Sequence, residues 1–547
     1  MKVNEAIIDC LTENGIDTLF GIPGKQSLPL NESISVRDDI EFVMARHETA
    51  VSHQAWGYAE TSGRLSATVV IPGPGDMNAM NGLKNSLNDC TPLLHIAIET
   101  EPEIRGGDGI HETPPDTYNN VVKKNITVET PQSTVVALQQ AIDIAMTPPK
   151  GPVRIGIPKN FLTMDVSIAK QGEVKLQSFG DVPEELVEHA ADLLAEASAP
   201  IIIAGGGIRA SDASDELKTV AERLEAPVVL TYKGKAVFPD DHDLAAGVLC
   251  GGTGTALNEL IADADAALGA GTDFDALTMQ NWSVDVPDNL VHITLGVNDI
   301  GMGYEPKIGI VADAARTLNE LNDALASRTI AAGDGVERAR ETREAINDRL
   351  ARVREVTETP VTSVVALDAL REGIPRDSIV SIDVGGFRLW ALLTFPTYKP
   401  LDYVAPGSWA TMGSGLPSAI GAKLANPDQD VVTITGDGGL LMCLHELHTL
   451  VSETIDVTVV VLNNSDYAII SEEAGRDYQM DKGEYGWDDA PVSYTTIAEG
   501  VGMGSMRAEN PTEITETVAE AIGRDGPTLV EVPTDPYEPQ SSVLMNE

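Results

Sequence analysis

Residues 431–464 constrain the fold most tightly. A β-branched run at 431–435 ends in Gly436-Asp437-Gly438-Gly439, and Leu440, Leu444, Leu447 and Val451 then recur at helical spacing. A second apolar run, 457–462, ends in Asn463-Asn464. Strand, helix and strand in this order form a parallel unit, so both strands finish at the same edge of the sheet, where ligands bind. Asp437 and Asn464 are therefore expected to face one another across a small gap. A carboxylate, an amide oxygen and nearby carbonyls suit an octahedral oxygen site such as Mg²⁺. The glycines let the backbone approach a ligand closely, and the N-terminus of the following helix attracts phosphate. Together these features describe a magnesium–diphosphate clamp.

The same alternation of strand and helix continues along the chain and predicts three α/β blocks, each a doubly wound parallel sheet. They are expected at 1–165, 183–330 and 359–547, and 547 residues allow about three or four domains. In the first block the N-terminus reads as an amphipathic helix with Val3, Ile7 and Leu11 on one face. Strands follow at 18–20, 42–45, 67–71 and 93–98. A polar stretch at 166–181 precedes the second block, whose strand 201–204 runs into Gly205-Gly206-Gly207. The charged run 335–356 predicts a solvent-exposed connecting helix. Strands at 379–382, 431–435 and 457–462 build the third block.

Charge bounds the partners and says nothing about chemistry. With 37 basic and 84 acidic residues the net charge is −47, so DNA, RNA and anionic membranes are excluded as natural partners. Such a surface repels itself over a Debye length of about 8 Å at ordinary ionic strength and about 3 Å at molar salt. That contrast points to a salt-adapted, halophilic host. Cys10, Cys90, Cys250 and Cys443 form no CxxC pattern, and no apolar run reaches membrane-spanning length. The expected location is the cytoplasm.

Gly436-Asp437-Gly438 followed by Asn463-Asn464 after 24 residues resembles the fingerprint of thiamine-diphosphate-dependent enzymes. The resemblance implies that Asp437, Asn464 and the main-chain carbonyl of Asp466 hold the metal. It also implies cofactor contacts at Gly24, Gly385, Gly436, Gly438, Gly439, Ala468 and Ile469. Two further stretches agree. Arg46-His47-Glu48, after the strand 42–45, resembles the strand-end glutamate that contacts N1′ of the cofactor's aminopyrimidine; a carboxyl there favours the tautomer that removes the C2 proton. The stretch 407–422 resembles the segment that grips the pyrimidine: Met412 would force the bent cofactor conformation, with the Ala410 carbonyl and the Met412 amide on the pyrimidine edge.

The resemblance covers nearly the whole chain and is nearest to the acetolactate synthase-like branch. Matching stretches include Phe20-Gly21-Ile22-Pro23-Gly24, Pro72-Gly73-Pro74-Gly75, Asp89-Cys90-Thr91-Pro92, Tyr232-Lys233-Gly234-Lys235 and Asp383-Val384-Gly385 with Trp390. It implies decarboxylation of a small 2-oxo acid, carboligation of the activated aldehyde, or both. It also implies a homodimer or homotetramer whose sites are shared between chains. A decarboxylase that does not ligate stays open, as does, more remotely, a nucleotide-binding oxidoreductase built on Gly205-Gly206-Gly207. Three departures leave FAD and the acetolactate reaction open. Gly251-Gly252-Thr253-Gly254 lacks the branch's histidine, the run 269–274 lacks its arginine, and Glu473 stands where a tryptophan shapes acceptor choice. His111 aligns with a family position near the substrate and is a candidate proton shuttle, equally readable as a structural histidine. Lys25 and Lys123 are weaker candidates of the same kind.

Overall fold

Each block builds one six-stranded sheet, and every strand pair in all three sheets is parallel. The computed structural model describes residues 1–167, 172–176, 181–481 and 483–545. The first sheet contains β1 (Thr18–Gly21), β2 (Glu41–Met44), β3 (Ser66–Val70), β4 (Leu93–Glu99), β5 (Lys124–Thr127) and β6 (Pro152–Pro158). The second contains β7 (Pro200–Ala204), β8 (Val228–Leu230), β9 (Ala245–Val248), β10 (Ala266–Ala270), β11 (Leu290–Thr294) and β12 (Ile308–Val311). The third contains β13 (Ile379–Ile382), β14 (Tyr403–Val404), β15 (Val431–Gly436), β16 (Thr458–Asn463), β17 (Gly504–Arg507) and β18 (Thr528–Pro533).

Helices cover the sheets on both faces, so the central strands read as unbroken apolar runs rather than alternating ones. Every residue of β3, β4, β6, β7, β10, β11 and β13 is buried. The first and third sheets share one strand order, β2-β1-β3-β4-β6-β5 and β14-β13-β15-β16-β18-β17. The middle sheet runs β12-β11-β10-β7-β8-β9, with the chain reversing direction between β7 and β10. Among the described residues, no helix is long and apolar enough to cross a membrane.

Two expectations change in detail. The helix expected from Leu440 to Val451 is two short helices, Asp437–Cys443 and Glu446–Ser452. The break brings the buried Glu446 carboxylate onto the backbone amides of Arg46 and His47 in the first block. The connecting helix, Gly335–Arg354, is not wholly solvated: Ala339, Thr342, Ile346, Leu350 and Val353 are buried along one stripe. Their spacing of three and four was masked by the charged residues between them. Of the polar stretch expected at 166–181, residues 168–171 and 177–180 lie outside the described residues.

The first and third blocks meet where the helix Glu48–Ser62 crosses the helix Gly415–Ala425. The crossing is backbone on backbone. A Cβ on Gly421 would lie 1.8 Å from the Gln54 carbonyl oxygen, and one on Gly57 would lie 2.2 Å from that of Ser418.

Candidate active site

The tips of β13, β15 and β16 are tied together by two buried carboxylates. Asp383, just past β13 and 0% exposed, accepts hydrogen bonds from the Val384 amide (2.8 Å) and the Thr435 hydroxyl (2.8 Å). It also accepts the Gly413 and Ser414 amides, each at 3.2 Å. Asp437, 4% exposed, takes the Gly438 amide at 2.7 Å on one oxygen. Its other oxygen takes the Asn464 and Ser465 amides at 3.1 and 2.6 Å. One side chain therefore closes the gap between β15 and β16, as their shared edge predicts. Side chains at 438 and 439 would fill this cradle: a Cβ on Gly438 would lie 2.5 Å from the Tyr467 ring, and one on Gly439 2.5 Å from Asp383 Oδ2.

Burial pushes the Asp437 carboxyl up to about 6, with the nearby Asp466 charge adding to the effect and the three amides opposing it. Burial likewise raises Asp383. Asp466 carries a buried Oδ2 with no hydrogen-bond partner, while its Oδ1 accepts from the Ser471 hydroxyl at 2.6 Å. The Asn464 side-chain oxygen accepts the Asp466 amide at 3.1 Å. Among the described residues there is no cluster of three or more His, Cys, Asp or Glu able to hold a metal. A cation here would rely on amide and carbonyl oxygens beside Asp437. This edge supplies that donor set, so the residues fit a hard divalent ion.

The loops after β13 and β16 meet above this edge. Gly386, next to Gly385, stands against Ile469, and Ala468 opens the helix Ala468–Tyr478. The segment 407–412 is pinned from the first block: Gly407 N–H donates to Asp89 (3.0 Å), Trp409 Nε1 to Asn81 (2.8 Å) and Asn81 Nδ2 to Thr411 (2.9 Å). Ala410 sits at φ +47°, a strained value for a residue with a Cβ. Met412 lines a cavity of about 490 Å³ between the two blocks, with His47, Thr49, Met442 and His445.

In the first block Glu48 is the first residue of its helix and half-buried. Its carboxylate accepts from Asn78 Nδ2 at 3.0 Å and faces Gly75, where a Cβ would come within 3.1 Å. The backbone before it is fixed from the third block, since Glu446 Oε1 accepts the Arg46 and His47 amides at 2.9 and 3.1 Å. His111, at φ +64°, packs its carbonyl on Gly73 of the same glycine turn and buries an unpartnered Nδ1. Gly24 closes a turn through Ser27 and packs on Ile71 at the end of β3. His111, the 73–75 turn, Asn78 and Glu48 are thus assembled at one end of the first sheet.

Other candidates lie elsewhere. Lys123 donates to the Ile144 carbonyl (2.6 Å) and to that of Thr147, closing the end of the helix Thr134–Met146. Lys25 and Glu473 are exposed. A cavity of about 380 Å³ lies at the reversal between β7 and β10, lined by Gly206, Gly207, Thr272, Asp273, Asp275 and Asp299 among others. The turn 251–254 is covered by the C-terminal segment, with Gly252 against Ser541 and Gly254 against Met545. Sequence reasoning missed Glu446 and Asn78, whose partners lie 400 and 30 residues away, and nothing local signalled them. Asp383, missed as a site residue by the same reasoning, does carry a signal: a carboxylate just past a strand.

Known proteins carry the same three parts. Three family models match, described as the thiamine pyrophosphate enzyme N-terminal TPP binding domain (residues 1–120), central domain (187–321) and C-terminal TPP binding domain (383–532). The chain is 30% identical to a probable acetolactate synthase large subunit of Methanocaldococcus jannaschii, over 98% of this chain and 93% of that protein. A probable acetolactate synthase large subunit of Methanococcus aeolicus is 30% identical over 99% of this chain and 94% of its own. The acetolactate synthase large subunit of Lactococcus lactis is 29% identical, over 97% and 92%. Matched end to end by such relatives and block by block by the family models, the chain belongs to the thiamine pyrophosphate enzyme family, in its acetolactate synthase-like branch.

Proposed function

We propose that this enzyme decarboxylates a small 2-oxo acid and joins the activated aldehyde to a second carbonyl compound. The observation that carries the reading is the buried Asp437 carboxylate, joined to β16 at Asn464 and, among the described residues, paired with no Lys or Arg. Asp437, Asn464 and the Asp466 carbonyl would hold Mg²⁺, and Gly436, Gly438 and Gly439 would admit the diphosphate. Thiamine diphosphate, when bound, supplies the electron sink for cleavage of the bond beside the carbonyl. Glu48 would present its carboxyl to N1′ of the pyrimidine, and Asn78 donates to that carboxyl and fixes its rotamer. Ala410 and Met412 orient the pyrimidine, Gly24, Gly385, Ala468 and Ile469 close around the cofactor, and His111 moves a proton at the substrate end.

FAD is dispensable in this reading, because the run 269–274 offers no arginine. The cavity beside it is lined by acids (Asp273, Asp275, Asp299) and by two lysines, Lys150 and Lys233. A visible spectrum of the purified, salt-maintained protein should show no stoichiometric flavin band. The working unit is a homodimer or homotetramer in the cytoplasm of a halophile, with Glu48 of one protomer serving the Asp437 edge of its partner. Mixing the inactive variants E48Q and D437A under subunit exchange should restore part of the activity, and no recovery despite proven exchange would rule out the shared site. Supplying a panel of 2-oxo acids while following CO₂ and acyloin products separately tests the reaction itself. CO₂ without acyloin would leave a non-ligating decarboxylase; neither product would sink the reading.

A further inference from the structure

Lys233 joins all three blocks at one ammonium group. It follows β8, and its Nζ donates to Glu60 Oε2 at 2.8 Å and Asp89 Oδ2 at 3.1 Å, both in the first block. It also donates to the Ala405 carbonyl in the third block at 3.2 Å. Its stem lies over Gly206, where a Cβ would come 2.7 Å from Lys233 Cγ. The two carboxylates are almost fully buried, with side chains 5% and 1% exposed. Burial alone would raise Glu60, and the charges of Lys233 and Arg209 overcome it and leave it below its ordinary value. Asp89 stays raised by burial, with the nearby Glu60 charge adding to the effect and Lys233 and the Gly407 amide opposing it.

Each partner leads toward the catalytic apparatus. Glu60 lies on the helix that begins at Glu48. Asp89 holds the Gly407 amide at 3.0 Å, while Lys233 holds the carbonyl of Ala405 two residues before it. Gly407 opens the segment that carries Ala410 and Met412, and a Cβ there would lie 2.3 Å from Asp89 Oδ1. The start of that segment therefore has its position set from both sides of one peptide plane pair.

We propose that Lys233 is a positioning residue for the cofactor: its clasp with Glu60 and Asp89 sets the 405–412 segment, and through it the grip on the pyrimidine of thiamine diphosphate. The proposal rests on the assignment of Ala410 and Met412 to that ring. The test uses the full-length protein at one fixed salt concentration, as wild type, K233M, the charge-balanced E60Q/K233M, and M412A. Amide hydrogen exchange without cofactor reads the clasp, and calorimetric titration with thiamine diphosphate and Mg²⁺ reads the grip. In K233M and in the double variant, exchange across 405–414 should rise at least about tenfold while β7, β10 and β15 keep their protection. Cofactor affinity should fall by roughly tenfold with it. Exchange that is unchanged, or that rises equally in all three sheets, would overturn the proposal and leave Lys233 as general glue. If M412A weakens the cofactor and K233M does not, the clasp alone fails. If neither variant changes cofactor affinity, the assignment of the segment fails, and the proposal with it.

Discussion

The first and third sheets share a strand order but treat buried acid in opposite ways. In the first block Asp76, 1% exposed, meets the Arg154 guanidinium at 2.6 Å and the His95 ring Nε2 at 2.9 Å. Burial would raise it, but His95 and Arg154 hold it below its ordinary value. In the third block Asp383, Asp437 and Glu538 receive hydrogen bonds from amides and hydroxyls, and burial raises all three. Topology is therefore not what distinguishes the two. Asp76 is neutralised from within its own sheet, whereas Asp383 and Asp437, at the edge where β13 and β15 end, meet no Lys or Arg among the described residues. A buried carboxylate without a counter-charge is costly in free energy unless a cation arrives or a proton binds.

The largest expected effect breaks this contrast at its centre. D437A should abolish retention of thiamine diphosphate and Mg²⁺ in equilibrium dialysis, a loss above about a hundredfold, since even partners behind a metal ligand cost 10–100-fold. Circular dichroism should show the chain still folded, and unaltered cofactor affinity would remove Asp437 from the site. In the first block, E48Q should keep cofactor affinity while C2 proton exchange on the bound cofactor slows by about a hundredfold. Wild-type exchange rates by NMR would refute the role of Glu48. Smaller again, M412A should weaken cofactor binding by roughly tenfold, or about 1.4 kcal/mol.

The smallest effect is read on stability and pH. Glu538, 6% exposed, accepts the Ser363 amide and hydroxyl, each at 2.6 Å, and burial pushes its carboxyl up to about 7. With the folded value above the ordinary 4.5, its protonated form stabilises the fold below that value, and the benefit is lost as pH rises through about 7. Asp76 has the reverse sign: its contribution is present above the unfolded value and lost as pH falls through its lowered folded one. E538Q should flatten the decline of thermal stability between pH 4.5 and about 7, a difference of about 2–4 °C in Tm. An unchanged decline in E538Q would show that Glu538 does not set it.

What the sequence makes legible follows from the range of the forces involved. Strand runs such as 431–435 and 457–462 declare themselves because both faces of a parallel strand are buried. The Asp437–Asn464 pairing is legible too, since strand and crossover fix where both strands end. The split of the helix after Cys443 is not, because it goes with Glu446 meeting the amides of Arg46 and His47, 400 residues away in the chain. Asn78, which holds Glu48, and Lys233, which holds Glu60 and Asp89, are hidden for the same reason. Lys123, a candidate by resemblance, donates to two carbonyls at a helix end, a partnership that its sequence neighbours do not reveal.

The crossing at Gly57 and Gly421 carries an evolutionary consequence. Each glycine lies against the other helix's main chain, so at neither site can even a methyl group be accommodated unless that helix retreats. Neutral drift is barred at both places at once. Insertions elsewhere can lengthen a loop or recast the middle block without disturbing this seam. The helix bearing Glu48 and the helix following the Met412 segment must instead be inherited as a matched pair, although more than 350 residues of chain separate Gly57 from Gly421.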